Sequence, residues 1–197
     1  MKELSTEELF DKYCKYKKHS EEVKRLALII FEEVNEKIKE LSEKKRKMLE
    51  VSAILHDIGY SIQEKGHNKL SQKIILEEGL QDFDPRQKMI ISCICRYHRG
   101  GLPDKKEHEI YCKLDKKERK VVKRLGGILK IADGLESTQI GQIQDIKLQY
   151  DEENNIVEFL LKLKSNDFRP DIMEVVRKKD LFEIGFKTQV VFKFAEI

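Results

Sequence analysis

Residues 48–58 read MLEVSAILHDI, and this stretch decides the fold. It is apolar on nearly every side of a helix, which is typical of a helix buried at the centre of a bundle. Gly59 follows directly and is expected to end the helix. The stretch closes on His56 and Asp57. A carboxylate is costly to bury unless it is paired or bound to a metal ion, so this end of the helix predicts a functional site.

The rest of the first two-thirds of the chain also has helical patterns. Apolar residues recur at helical spacing in five further segments: one after the capping box Ser5–Glu8, residues 20–41, residues 68–78, residues 85–98, and a last long helix that Asp115 caps. Near Gln144 the pattern changes to the alternation of β-strands, over residues 145–150, 156–164 and 189–194, with a helix predicted over 170–179. We therefore predict a mainly α protein. An all-helical domain at residues 1–142 precedes a small α+β subdomain at 143–197, whose sheet is expected to be antiparallel.

Composition excludes several functional classes. The 197 residues include 39 Lys+Arg and 36 Asp+Glu, a net charge of +3 with both signs mixed. This balance predicts binding neither to a nucleic-acid polymer nor to a membrane surface. The longest apolar run, residues 26–31, is far shorter than the roughly 20 residues of a membrane span. The first ten residues lack the apolar core of a signal peptide, and no Cys-x-x-Cys pair occurs. We therefore expect a cytoplasmic protein.

Four of the five histidines are predicted to lie on inward helix faces. They are His19, His56, His67 and His98, and Asp57 and Asp133 share such positions. A single histidine on an apolar face is usually a hydrogen-bonded core residue, but six such side chains together predict one shared site. Imidazole and carboxylate form a mixed nitrogen and oxygen ligand set suited to a divalent ion, either Mn, Fe, Zn, Ni or Mg. The fifth histidine, His108, lies in a charged loop and is expected to be exposed.

The order of these residues resembles a known superfamily. The H…HD…D pattern of the HD superfamily of metal-dependent phosphohydrolases falls on His19, His56-Asp57 and Asp133. The resemblance implies a helical HD domain in which these four side chains hold the ion. It also implies that Asp57 contacts both the ion and the attacking water. An ion in such a site polarises a phosphoryl oxygen and lowers the pKa of a bound water.

A closer resemblance is to the C-terminal half of exopolyphosphatase and guanosine-pentaphosphate phosphatase proteins. Four segments carry it in the same order: AILHDIGYSI (53–62), RYHRGGLP (96–103), LGGILKIADGLE (125–136) and RKKDLFEIGF (177–186). The sugar-kinase-like catalytic domains of that family have no counterpart in this sequence. Any hydrolysis would therefore use the HD site. One departure concerns the HHKHS run that is frequent in the family. The corresponding residues 67–71 read HNKLS, so only the first histidine, His67, is retained.

The resemblance suggests ligands for a second ion, and position beside the proposed site suggests roles for neighbouring residues. His67 and His98 are the candidates for ligands of a second ion. Asp57, His98 and Arg99 are the candidate catalytic residues. Arg99, Arg96 and Lys69 are candidates for phosphate binding, since a guanidinium can contact phosphate through two N–H groups. A solvated helix end remains the alternative for Arg99, and a surface position the alternative for Lys69.

Two functions remain open from the sequence. The first is a metal-dependent phosphohydrolase that acts on a nucleotide or another small phosphate ester or anhydride. The second is a non-catalytic module, related to exopolyphosphatase, that binds polyphosphate or a nucleotide or regulates a partner. The complete H…HD…D set favours the enzyme, and the altered HNKLS run favours the module. A homodimer is left open.

Overall fold

The computed structural model describes residues 2–165 and 172–195. Within them the helices are α1 (Thr6–Tyr13), α2 (Lys17–Lys37), α3 (Glu43–Leu55), α4 (His67–Glu78), α5 (Pro85–Tyr97), α6 (Glu109–Cys112), α7 (Lys116–Leu135), α8 (Met173–Lys178) and α9 (Asp180–Phe186). The strands are β1 (Ile143–Asp151), β2 (Ile156–Leu163) and β3 (Gln189–Phe194). The predicted fold class, mainly α with a small α+β region at the end, is confirmed. No helix among the described residues is long and apolar enough to cross a membrane.

The capping signals place the helix starts correctly. Ser5 caps α1, Asp84 caps α5 and Asp115 caps α7, each with the reciprocal side-chain contact of a capping box. The second helix was predicted over residues 20–41, but it begins at Lys17 and ends at Lys37. No side chain caps its start, so no capping signal marks Lys17 in the sequence.

The central helix α3 is buried from Met48 onward, as predicted, but it begins earlier, at Glu43. The expectation that Gly59 ends it was wrong, because the helix ends at Leu55 and Gly59 lies in the turn that follows. The end of α3 determines where the site forms. His56 caps α3, and a short 3-10 turn over Ile58–Ser61 carries the chain away from it. At Gly59 the backbone of α4 comes very close: a Cβ on Gly59 would lie 2.0 Å from the carbonyl oxygen of His67. Only glycine allows this approach, which brings the first turn of α4 beside the His56-Asp57 pair.

The sheet differs from the prediction in one strand direction. β1 pairs antiparallel with β2, with Tyr150 opposite Val157, but β3 pairs parallel with β2, with Val157 opposite Val190. The purely antiparallel sheet predicted from the sequence is therefore wrong. The chain between β2 and β3 includes α8 and α9, and a crossover of this kind returns a strand in the same direction. Residues 170 and 171 of the helix predicted at 170–179 lie outside the described residues.

The C-terminal helices pack against α7. A Cβ on Gly134 of α7 would lie 2.9 Å from the Cα of Val175, which is fully buried in α8. This close contact places α8 against the last turns of α7, one residue from Asp133. The division into domains at residues 142 and 143 stays a prediction.

Candidate metal centre

Six polar side chains meet where five helices approach one another. The set consists of His19 near the start of α2, His56 and Asp57 at the end of α3, His67 at the start of α4, His98 at the end of α5, and Asp133 near the end of α7. All six are buried, with at most 7% of each residue exposed. The structure thus brings together every metal ligand predicted from the sequence, including both candidates for a second ion.

One half of this cluster is built around two carboxylates. Oδ2 of Asp57 lies 3.7 Å from Nε2 of His19 and 3.4 Å from Nε2 of His56. Oδ1 of Asp133 faces the same two nitrogens, at 3.3 Å from His19 and 3.7 Å from His56. We call this group the Asp133 side. It consists of His19, His56, Asp133 and Oδ2 of Asp57.

The other half uses the second oxygen of Asp57. Oδ1 of Asp57 lies 3.2 Å from Nε2 of His67 and 3.3 Å from Nε2 of His98, and the two Nε2 atoms are 3.2 Å apart. We call this group the His98 side. It consists of His67, His98 and Oδ1 of Asp57. Asp57 therefore lies between the two sides and offers one oxygen to each.

The backbone fixes the orientation of three imidazoles. In each, Nδ1 is hydrogen-bonded to the carbonyl three residues earlier: His56 to Ala53 at 2.7 Å, His67 to Glu64 at 2.9 Å, and His98 to Cys95 at 2.6 Å. A carbonyl only accepts, so Nδ1 carries the proton and donates it. Nε2 of each ring then presents its lone pair to the cluster, which is the arrangement that metal-binding histidines adopt.

Among the six clustered side chains, none carries a fixed positive charge to balance the lone pairs that they bring together. Nε2 of His56 and Oδ1 of Asp57 are buried, and neither has a hydrogen-bond partner of good geometry among the described residues. Lone pairs of imidazole and carboxylate repel each other at the distances above unless a proton or a metal ion lies between them. Two groups bring their ligand atoms within 4.8 Å of one another: His19, His56 and Asp133, and His56, Asp57 and His98. The residues present therefore fit a metal ion.

The pKa values of these groups reflect the same lack of positive charge. Burial alone would lower the pKa of His56, but Asp57 and Asp133 outweigh burial and raise it well above its usual value. Burial alone would raise the pKa of both carboxyls, but the surrounding imidazoles, and Lys178 beside Asp133, hold both far below their usual range. Burial lowers the pKa of His98.

Lys178 completes the cluster, and sequence reasoning missed it. Its Nζ lies 2.7 Å from Oδ2 of Asp133 and 3.4 Å from an oxygen of Glu174. In the sequence it is one of three consecutive basic residues, Arg177 to Lys179, and such runs usually face solvent. The available signal was the four-residue spacing from Glu174 on a short helix, which places both side chains on one face.

A cleft of about 430 Å³ opens over the cluster. Its lining consists of His19, Asp57, Tyr60, His67, His98, Arg99, Asp133, Ser137, Gln139, Glu174 and Lys178. Tyr60 stacks on His67, with ring centroids 3.9 Å apart and planes 18° from parallel. Nη1 of Arg99 donates to the hydroxyl of Tyr60 at 3.3 Å. An exposed guanidinium thus lies at the edge of a polar cleft whose floor is the cluster of histidines and carboxylates.

The three candidate phosphate-binding residues occupy different places. Arg99 lines the cleft, and Asn68 fixes the adjoining turn by donating to the carbonyls of Arg96 and Arg99 at 2.7 and 3.0 Å. The side chain of Arg96 turns away to donate to Oε1 of Gln72 at 3.2 Å. Lys69 is exposed and is not part of the cleft lining among the described residues.

His108 is half-buried, so the expectation that it is exposed was wrong. Its Nδ1 accepts hydrogen bonds from the hydroxyl of Tyr97 at 2.8 Å and from the backbone N–H of Asp104 at 3.0 Å. These hydrogen bonds stabilise the loop before α6, and His108 takes no part in the cluster.

Comparison with known proteins bears on the family of the chain. No curated protein sequence gives a significant match to the chain. A family model described as Ppx/GppA phosphatase, domain III, matches residues 1–174, which is most of the chain. The resemblance to the C-terminal half of exopolyphosphatase and guanosine-pentaphosphate phosphatase proteins is thereby confirmed over residues 1–174, whereas the resemblance to the HD superfamily stays a prediction. The chain belongs to the Ppx/GppA phosphatase family, whose domain III it matches.

Proposed function

We propose that this protein is a metal-dependent phosphohydrolase of the HD type that acts on a small phosphorylated substrate. The observation that supports it best is the orientation of the imidazoles. Backbone carbonyls hold the protons of His56, His67 and His98 on Nδ1, so three Nε2 lone pairs converge on Asp57. A histidine that only stabilised the core would have partners for both ring nitrogens, whereas Nε2 of His56 has none among the described residues.

In the proposed site, His19, His56, Asp57 and Asp133 hold one ion, and His67 and His98 with Asp57 hold a second. A bound divalent ion supplies Lewis acidity toward a phosphoryl oxygen and lowers the pKa of water. Arg99 binds a phosphate oxygen from the edge of the cleft. Asp57 keeps its carboxylate ionised because the surrounding imidazoles hold its pKa far below the usual range. As an ionised carboxylate, it can accept a hydrogen bond from water and so orient that water.

The first experiment measures metal content and hydrolysis together. Protein purified without chelator is analysed for bound metals, and a panel of nucleotides and small phosphate esters is then screened with Mn, Fe, Zn, Ni and Mg. We expect at least one ion per chain and metal-dependent release of phosphate. His108→Ala is the matched control, because this histidine lies outside the cluster and should leave metal content unchanged. Protein that takes up none of these metals would contradict the proposal.

The second candidate is a non-catalytic module that binds phosphate or a nucleotide. The contact between Lys178 and Asp133 supports it, since an ammonium already compensates this carboxylate without any metal. The two candidates differ in one measurement. The module binds phosphate equally well in chelator and hydrolyses nothing, whereas the enzyme needs the ion for turnover.

A further inference from the structure

We propose that Lys178 is a substrate-binding residue that holds a phosphate oxygen of the ligand over the Asp133 side. This inference rests on the proposed function, because it assigns the phosphate contact within the same cleft. Lys178 lies beyond residues 1–174, which the family model matches. It comes from α8, a helix separate from those that carry the six clustered side chains.

The position of the ammonium is the first argument. Nζ of Lys178 contacts Oδ2 of Asp133 at 2.7 Å, while Oδ1 of the same carboxylate faces the nitrogens of His19 and His56. The ammonium therefore lies immediately beside the Asp133 side, and it lines the cleft. A phosphate that reaches this side of the cluster comes within range of a positive charge.

The unused hydrogen-bonding capacity of Lys178 is the second argument. An ammonium has three N–H donors. Among the described residues, Nζ has two acceptors, Asp133 and Glu174, and the Glu174 contact is long at 3.4 Å. At least one donor therefore remains for a ligand. Arg99 supplies the other cation of the cleft lining, and it comes from a different element, the turn after α5.

A comparison with Lys130 argues against a purely structural role for Lys178. Lys130 is also buried and forms a 2.7 Å ion pair, with Asp180, but it also donates to the carbonyl of Gly100 and does not line the cleft. It thus joins α7, α9 and the loop after α5. Lys178 joins α8 to α7 at a place where Val175 already packs closely on Gly134. Apolar packing thus already joins α8 to α7 beside the Lys178–Asp133 pair.

The experiment uses inorganic phosphate as the probe and calorimetric titration as the readout, in chelator and with Mn²⁺. Lys178→Met removes the charge but keeps most of the side-chain volume. We expect phosphate affinity to fall by about 10- to 100-fold, because one hydrogen bond to a charged group is lost. We expect Mn²⁺ affinity to stay equal or rise, because Asp133 loses a competing cation. For substrates that the wild type hydrolyses, KM should rise more than kcat falls.

Lys179→Met is the matched control. Lys179 is adjacent in sequence, but it donates to the carbonyl of Val190 and pairs with Glu183. It should leave both affinities unchanged. Lys178→Arg keeps the charge and should retain phosphate binding. Lys178→Gln keeps a donor toward Asp133 and replaces the Met variant if that variant does not fold.

Two results would overturn the inference. One is wild-type phosphate affinity in a folded Lys178→Met or Lys178→Gln protein. The other is a parallel loss of Mn²⁺ and phosphate, which is the behaviour of a residue that only supports the fold. Failure of the proposed function has a different signature: the wild type then takes up no metal and hydrolyses nothing, while phosphate binding in chelator still tests Lys178.

Discussion

The Asp133 side and the His98 side of the cluster differ in their negative charge. The Asp133 side offers two imidazoles, a carboxylate of its own and one oxygen of Asp57. The His98 side offers two imidazoles and the other oxygen of Asp57, and its two Nε2 atoms face each other at 3.2 Å. Charge neutralisation of a divalent ion is therefore more complete on the Asp133 side. We expect the first ion to bind there and the second, more weakly, on the His98 side, with Asp57 essential to both.

The largest effect is expected from Asp57→Asn, because this change affects both sides. Asn keeps the size and one oxygen but removes the charge that both sides share. Metal content should fall to near zero after dialysis, and hydrolysis should fall by about 100-fold or more. Elemental analysis and an initial-rate assay measure the two effects.

The same variant should fold well in chelator. Without the carboxylate, His56 can stay neutral, so the change leaves no uncompensated buried charge. The melting temperature in chelator is therefore expected to match or exceed that of the wild type. Full activity in folded Asp57→Asn protein would show that the cluster is not the site of hydrolysis.

The next effect is expected from His56→Ala, which removes one of the two imidazoles of the Asp133 side. The ion of the Asp133 side should be lost, with a fall in affinity of at least 100-fold. Elemental analysis of the dialysed protein measures it, with His108→Ala as the reference. A folded His56→Ala protein with wild-type metal content would contradict the assignment of this side.

The cluster could be predicted from the sequence because its members obey short-range rules. His19 and Asp133 lie on the apolar stripes of amphipathic helices, and His56-Asp57 ends a helix that is otherwise buried all round. The helical period alone points such side chains inward. The capping boxes at Ser5, Asp84 and Asp115 are equally local, and all three formed as expected.

What the sequence did not predict depends on long-range packing. The parallel direction of β3 follows from the crossover through α8 and α9, whereas alternation within a strand is the same for either direction. Lys178 reaches Asp133 across 45 residues of sequence, because α8 packs on Gly134. The turn of Arg96 toward Gln72 likewise depends on how α4 packs against α5.

A smaller effect is expected from His98→Ala, which changes only the weaker side. The Asp133 side keeps all four of its oxygen and nitrogen ligands, so we expect one ion to be retained where the wild type holds two. Titration with Mn²⁺ should show the weaker binding step disappear and the tighter step persist. Loss of both steps in folded protein would show that the two sides do not bind independently.

The smallest effect is expected from Arg99→Ala, which leaves both sides of the cluster intact. The side chain of Arg99 is exposed, and its hydrogen bond among the described residues is the 3.3 Å contact with the hydroxyl of Tyr60. The turn itself is held by its backbone, because Asn68 donates to the carbonyls of Arg96 and Arg99, and alanine preserves both bonds. The melting temperature should therefore change by no more than about 1–2 °C, as expected for an exposed side chain.

Phosphate binding should respond differently, because the guanidinium is one of two cations that the described residues place in the cleft lining. We expect KM to rise by about 10-fold, the value of one charge-assisted hydrogen bond, with metal content unchanged. Arg99→Lys keeps the charge but loses the planar fork of donors, so it should recover only part of this affinity. A large fall in melting temperature with normal KM would instead assign Arg99 to the fold. Phosphate binding would then depend on Lys178 and on the ions held by the two sides of the cluster.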